Sequence, residues 1–404
     1  MAVTDNTRTP LAGTPSLLRA INDRAALELL LAHGPLSRTQ IGTLTGLSKP
    51  TASQLLGRLE NAGLVMPVGT TAGGPGPNAQ LYQVNPAAGY VAGLDVTTTH
   101  VRAAVADITG STLAERVTPT KGWPAAEAVA RTAGVLAETV REAGLPPGRL
   151  LETVVGVPGA LDPGSGRLRY ASHLPGWHSP RLLEELTEAL GSRVTVENDV
   201  NLAAMAEQAF GAARGSEDFV LLWAEEGLGA AIVIAGRLHR GFTGGAGEIG
   251  YMPVPGSPVV HHPRKNTGGF QDLAGADAVI ALAREHGLEV TAADSTVEAL
   301  AEAAVEAALR TAGAGDDFLD TLAARLAVGL AAVVAVVDPE LVVLAGRTVA
   351  AGGDRLCELV QAELGRTSVP RPEVRSSTVP GSPVLQGALQ RALATARETV
   401  FTTH

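Results

Sequence analysis

The chain has 404 residues, 45% of them hydrophobic and 18% charged, which is too much for one ordinary core, predicts two or three domains and excludes wholesale disorder. Its single cysteine, Cys357, excludes an intramolecular disulfide, and its longest apolar stretch, Leu326 to Val337, is too short for a bilayer, so a cytoplasmic protein with no membrane partner is expected. The net charge of −10 argues against nucleic acid for the chain as a whole, yet residues 1–85 hold six basic against four acidic side chains, so any DNA contact belongs there.

Met1 to Thr14 has no apolar h-region and reads as a disordered tail, not a signal peptide. Residues 15–85 read as one domain. Leu17, Leu18, Ile21, Leu27, Leu30 and Leu31 recur at helical spacing until Gly34-Pro35 stops the helix. Ser37 and Gln40 then form a capping-box pattern, with Leu36 and Ile41 in the staple positions. The short helix that follows turns Ile41 and Leu44 inward and ends at Gly46. Ser48 caps the next helix, and Pro50 is tolerated in its first turn. Ala52, Leu55, Leu56 and Leu59 give that helix one apolar face, leaving Lys49, Thr51, Ser53, Gln54 and Arg58 outward.

Two short helices around a tight glycine turn form a helix-turn-helix, and polar residues at the start of the second helix suit phosphates and base edges in a major groove. Leu64 to Val68 and Gln80 to Val84, around the tip Gly69 to Asn78, read as a wing. The candidate DNA contacts are therefore Ser37, Arg38, Ser48, Lys49, Pro50, Thr51, Ser53, Gln54 and Arg58.

Residues 86–404 alternate strands and helices, the pattern of an α/β fold. Tyr90 to Val96 is a buried-strand run with Asp95 near its end, Thr97 to His100 is a turn, and Val101 to Asp107 runs back. Val154 to Gly159 ends a further strand. Val194 to Asp199 is a strand that ends in polar residues and enters a helix, Val200 to Phe210. Asp199 at that junction reads equally as a general base for a hydroxyl or as a helix cap. Phe219 to Trp223 is a strand, Gly227 to Ala231 a small-residue turn and Ile232 to Ala235 another strand, which with Asp95 to Val105 hints at internal duplication. Gly244 to Tyr251 is a glycine-rich loop carrying Glu248. Leu322 to Val337 is an Ala/Val helix, followed by the strand Leu341 to Leu344.

From about Pro15 to Leu393 these residues resemble the ROK family (repressor, open reading frame, kinase). The strongest pieces are Gly89-Tyr90-Val91-Ala92-Gly93-Leu94-Asp95, Val196-Glu197-Asn198-Asp199-Val200-Asn201 and Gly247-Glu248-Ile249-Gly250. The resemblance implies a two-lobed actin-like (ribonuclease H-like) fold, and the helix-turn-helix aligns the chain with the family's sugar-responsive regulators. It implies ligand contacts from Asn198, Asp199 and Glu248, with Tyr251 and Gln271 standing where the family has a His and a Glu, and Gly159 beside them.

Departures from the family bear on mechanism. The kinases' Asp-x-Gly-Gly-Thr-Lys is here Asp95-Val96-Thr97-Thr98-Thr99-His100, whose branched side chains obstruct backbone approach to a phosphate. Asp95, Thr97 and Thr99, with Gly227 and Gly229, thus mark degenerate phosphate loops, and Asp199 is a vestigial base. The family's zinc cysteines are absent around His261 and His262, so neither a metal nor another cofactor is expected.

The expected protein is therefore not an enzyme. It is a homodimer or homotetramer that binds palindromic operator DNA, with half-sites one or two turns of ~10 base pairs apart. Its effector is a sugar, amino sugar or sugar phosphate. A sugar kinase that also binds DNA, and a regulator whose large domain serves only for oligomerisation, are the alternatives.

Overall fold

The computed structural model describes residues 15–70, 79–171, 174–258, 268–292 and 294–402. The expected N-terminal tail, the wing tip from 71 to 78, and His261 and His262 lie outside these residues.

Helix α1 (Pro15–His33) ends where Gly34 adopts φ +74°. A two-residue strand β1 (Leu36–Ser37) leads into α2 (Arg38–Thr45), which carries the expected capping box and ends at Gly46 with φ +71°. Helix α3 (Lys49–Asn61) starts on Ser48, and β2 (Val65–Thr70) and β3 (Gln80–Val84) form the wing, with β1 on the other edge of β3. Ala52, Leu55, Leu56 and Leu59 are buried, as their spacing predicts. Leu44, expected inward, is 52% exposed, because eight residues of α2 bury only Ile41 and Gly42. Leu17, Leu18 and Ile21 are likewise more than half exposed, since the buried face of α1 begins only at Asp23 and Ala26.

The remaining chain folds as two halves of one topology. In the first, β4 (Tyr90–Val96), β5 (His100–Asp107) and β6 (Thr112–Pro119) form an antiparallel meander. Helix α4 (Ala128–Glu142) crosses to β7 (Leu150–Val157), which lies parallel to β4. A small hairpin, β8 (Ala160–Leu161) with β9 (Leu168–Arg169), precedes α5 (Leu182–Leu190). Strand β10 (Arg193–Asn198) then pairs with β7, and α6 (Asp199–Phe210) follows without a loop.

The second half repeats the meander with β11 (Phe219–Ala224), β12 (Leu228–Ile234) and β13 (Arg237–Leu238). Helices α7 (Phe270–Ala274), α8 (Ala276–Glu285), α9 (Val297–Arg310) and α10 (Ala314–Val337) precede β14 (Leu341–Ala345). Helices α11 (Arg347–Ala350) and α12 (Gly353–Thr367) lead to β15 (Glu373–Ser376), and α13 (Pro383–Thr402) ends the described chain. The sheet orders, β10-β7-β4-β5-β6 and β13-β12-β11-β14-β15, follow the same path. The duplication hinted at by two strand–turn–strand units is thus a duplication of whole sheets. The expected turn from Gly227 to Ala231 is shorter, because β12 already begins at Leu228 and pairs with Ala224.

Strand alternation builds the layers. Phe219, Leu221, Leu341 and Val343 point into one core with residues of α6 and α13, while Val220, Leu222, Val342 and Leu344 point into another with α10. In the first half, Val91 and Val154 share the α6–α13 core, and Leu94 and Val155 join the core that includes α4 and α5. Helices α6 and α13 therefore lie between the two sheets. They approach so closely at Gly387 that a Cβ there would stand 1.9 Å from the Leu202 carbonyl oxygen, so only glycine fits. Helix α10 is 24 residues long and contains an 18-residue window of mean hydropathy 1.9, long and apolar enough by length and composition to cross a membrane. Phe318, Leu319, Leu322, Leu326 and Leu330 on it are buried in the second half's core.

Candidate functional site

The candidate nucleic-acid face is the exposed side of α3. Lys49, Pro50, Thr51 and Gln54 are exposed and Ser53 is half-buried. Ser48 accepts a hydrogen bond from the Thr51 amide (3.4 Å) and its hydroxyl lies 2.8 Å from that of Thr51, so the two order the start of the helix together.

Three candidates from the sequence are committed elsewhere. Ser37 is buried, and its hydroxyl is consumed by the Gln40 capping box, which withdraws it as a DNA contact. The Arg58 guanidinium lies 2.6 Å from the carboxylate of Asp23 on α1, because α1 crosses the C-terminal half of α3 at that point; it clamps two helices instead of pointing freely to phosphate. Arg38 donates to the Tyr82 hydroxyl (2.5 Å) and sits over that ring, which anchors α2 to the wing strand while the residue stays exposed.

The second site is a cleft of about 550 Å³ between the two halves. The carboxyl ends of β4, β7, β10 and β11 open into it, the usual place for a ligand in an open α/β sheet. They deliver Asp95, Gly159, Asn198 and Glu225, and the first turn of α6 adds Asp199. Glu248, Tyr251 and Gln271 complete the opposite wall. The residues that sequence reading assembled from distant segments are therefore brought together.

Their roles differ in detail. Asn198, not Asp199, caps α6: its Oδ1 accepts from the Asn201 amide (3.0 Å) and its Nδ2 donates to the Gly159 carbonyl (3.0 Å). Gly159 has φ +86°, and a Cβ there would meet the Arg169 carbonyl at 2.2 Å, so this loop is a close-packed glycine turn. Gln271 lines the cleft, and its amide bonds to the loop between β11 and β12. It accepts from the Leu228 amide (2.8 Å) and donates to the Glu226 carbonyl (3.0 Å), which orients the side chain and leaves one lone pair and one N–H for the cleft. Tyr251 stands with Tyr170, ring centroids 6.3 Å apart; Tyr170 was not among the sequence candidates, and only its positive φ of +64° marks it as special.

The first phosphate-loop position is closed on itself. The Thr97 hydroxyl binds the His100 backbone, and the Thr99 hydroxyl lies 3.0 Å from His100 Nδ1. Arg102 Nε donates to His100 Nε2 (3.1 Å), so Nδ1 carries the proton and donates to the threonines. Burial, then Arg102, holds the His100 pKa below its usual value.

Electrostatics set this cleft apart. Desolvation by burial pushes Asp199 up to about 8, opposed by the Val200 amide and reinforced by the charges of Asp95, Glu225 and Glu248. Burial likewise raises Asp95 to about 6, against the Ser382 hydroxyl and Arg102, and raises Glu225 and Glu248 each to about 7. Glu225, another residue the sequence did not single out, accepts from the Arg347 amide at 3.3 Å and also feels the Arg347 charge.

Residues 91–379 match the sequence profile of the ROK family, and residues 22–69 that of the MarR family. The chain belongs to the ROK family. It is 27% identical over 341 residues to a putative xylose repressor of Caldicellulosiruptor sp. (strain Rt8B.4), an alignment covering 83% of this chain and 85% of that protein. Its fold matches a ROK family transcriptional regulator described as a homologue of the E. coli MLC protein, with TM-score 0.73 and 20% identity over 96% of this chain and all of that one. It also matches the ROK hexokinase of Thermus thermophilus, with TM-score 0.62 and 27% identity over 76% of this chain and 99% of that one. This ROK protein therefore resembles proteins named as repressors and as kinases.

Proposed function

We propose that this ROK protein is a cytoplasmic transcriptional repressor that binds a palindromic operator as a homodimer or homotetramer, with affinity set by a sugar-type effector in the cleft. One observation carries the coupling. Helix α13 starts at the cleft, where the Ser382 hydroxyl just before it donates to Asp95 (3.2 Å), and ends against α1 of the winged helix. Its last turns carry Leu393, Arg397 and Phe401 to a second cavity, of about 580 Å³, that Arg24, Glu28 and Leu31 of α1 also line. A ligand that moves Asp199, and with it α6, therefore acts on α13 through the Gly387 contact and on the DNA-binding unit through α1. Coupling of this kind is typically worth about 1–3 kcal/mol.

Loss of phosphoryl transfer follows from the same cleft. The turn from Thr97 to His100 uses the Thr97 and Thr99 hydroxyls and the Thr97, Thr99 and His100 amides within itself, and Glu225 and Glu226 border the other glycine turn, where an anion would meet negative charge. The xylose repressor likeness supports a sugar as effector class.

The test has two arms. Selection of duplexes from a random pool by the full chain, followed by anisotropy titration with and without a panel of sugars, is expected to yield a palindrome whose affinity drops at least fivefold with one of them. Failure to enrich any palindrome would sink the DNA-binding reading. In the second arm, a coupled assay with ATP, magnesium and the same sugars is expected to show no turnover; turnover abolished by Asp199→Asn would restore the kinase.

A further inference from the structure

The charge of the cleft is one-sided. Seven carboxylates line it against two guanidiniums, Arg102 and Arg347. Arg347 is already engaged, with Nη2 2.5 Å from a Glu302 oxygen. Asp95 lines the cavity at only 6% exposure, and among the described residues it has one hydrogen-bond donor, Ser382 on Oδ2. Its Oδ1 is left for whatever occupies the space.

The duplicated topology explains the arrangement. Asp95 lies at the end of β4 and Glu225 just beyond the end of β11, the first strands of the two halves, so each half contributes a carboxylate to the same cavity. Yet among the described residues no three His, Cys, Asp or Glu side chains are grouped so as to hold a metal ion. The carboxylates are spread over a wall enclosing about 550 Å³, within the size range of small-molecule sites. An inorganic cation would satisfy too few of them, whereas a ring-sized organic cation can reach several.

We propose that the effector is a polyhydroxylated amine, a sugar or sugar-like ring bearing a protonated amino group, and that sugar phosphates are excluded. This rests on the reading of the cleft as the effector site. A neutral sugar leaves the buried acids sharing protons, as their raised pKa values require near pH 7, and a phosphate adds negative charge beside them, whereas an ammonium lets them ionise. An ammonium group offers three donors to oxygens such as Asp95 Oδ1 and neutralises the cluster. Acetylation of the amine removes both effects while keeping the ring.

Calorimetric titration of the full chain at pH 7 with matched sets tests this: glucose, glucosamine, N-acetylglucosamine and glucosamine 6-phosphate, and the same four built on galactose. At least one free amine is expected to bind ten times tighter than its neutral parent and its N-acetyl form. Glu225→Gln, nearly isosteric, should shrink that ratio severalfold, and Glu248→Gln provides a second reading if the first variant folds poorly. A parent, N-acetyl or phosphorylated sugar that binds as tightly as the amine overturns the charge argument and leaves the effector site standing. Silence from every member of both sets overturns the effector site itself.

Discussion

The carboxylate of Asp23 on α1 and the guanidinium of Arg58 on α3 meet at 2.6 Å, the Asp23 side chain 10% exposed and that of Arg58 42%. The pair fixes the angle at which the recognition helix leaves the rest of the winged domain. Arg58→Ala strands a nearly buried carboxylate, which costs about 1–3 kcal/mol when its partner is removed. Urea unfolding of the variant should show a lowered midpoint, while the salt dependence of operator binding stays nearly unchanged. A salt slope reduced by a full unit would instead make Arg58 a phosphate contact.

Under the proposed function, Lys49 and Gln54 on the exposed face of α3 would divide the recognition work. Lys49→Ala is expected to weaken binding about equally for all sequences and to lower the salt slope by about 1. Gln54→Ala should relax preference at one base position per half-site, by about 1–3 kcal/mol. Parallel selections with wild type and both variants check this; an unaltered consensus and affinity for Gln54→Ala would remove α3 from the groove.

The carboxylates of the cleft make stability depend on pH in an unusual direction. Asp95, Asp199, Glu225 and Glu248 all have folded pKa values raised, to between about 6 and about 8. A raised folded pKa means the native state holds the proton more tightly than the unfolded one. The resulting stabilisation is complete below about pH 4 and is lost as pH rises to about 8. Asp162, Asp294 and Glu373 are shifted down and act oppositely, losing their contribution as pH falls below the ordinary carboxylate range. The melting temperature should therefore peak near pH 5 and fall toward pH 8.5. Asp199→Asn should flatten the fall. Scanning calorimetry across that range decides it, and a wild-type profile flat from pH 5 to 8.5 would contradict the shifts.

Gly387 is the position where coupling and stability separate least. Gly387→Ala puts a methyl against the Leu202 carbonyl and must push α6 and α13 apart. Overpacking of this kind costs about 1–3 kcal/mol. The variant should still bind operator, with a response to effector that is reduced or gone. If effector binding and release of DNA stay linked as in wild type, the signal does not pass between these helices.

Much of this was legible from the sequence because it is local. Ser37 with Gln40, Gly46, and Ser48 with Pro50 mark helix ends through bonds that span three or four residues, and they stand where expected. The apolar runs at 90–96, 219–223 and 341–344 became strands for the same reason. What was not legible depends on distant partners. Nothing near Arg58 announces Asp23, 35 residues earlier, and nothing near Gln271 announces that the Leu228 amide, 43 residues away, takes its amide oxygen. Glu225 looks like any charge in a turn until the second sheet is laid beside the first.

Helix α13 is 20 residues long, about 30 Å from end to end, and is held near its start by Gly387 against α6. Further along, Arg397 donates to the Ile108 and Thr109 carbonyls, so the helix moves as a packed rod. A tilt of about 5° about Gly387, too small to disturb the packing around Leu202, displaces the far tip near Phe401 by about 1.8 Å, given an arm of about 21 Å between the two. Under the proposed coupling, the molecule would need no wide opening of its two halves to be read at the DNA. A rearrangement at the cleft no larger than the settling of one ring among the carboxylates would be carried along α13 to the winged helix.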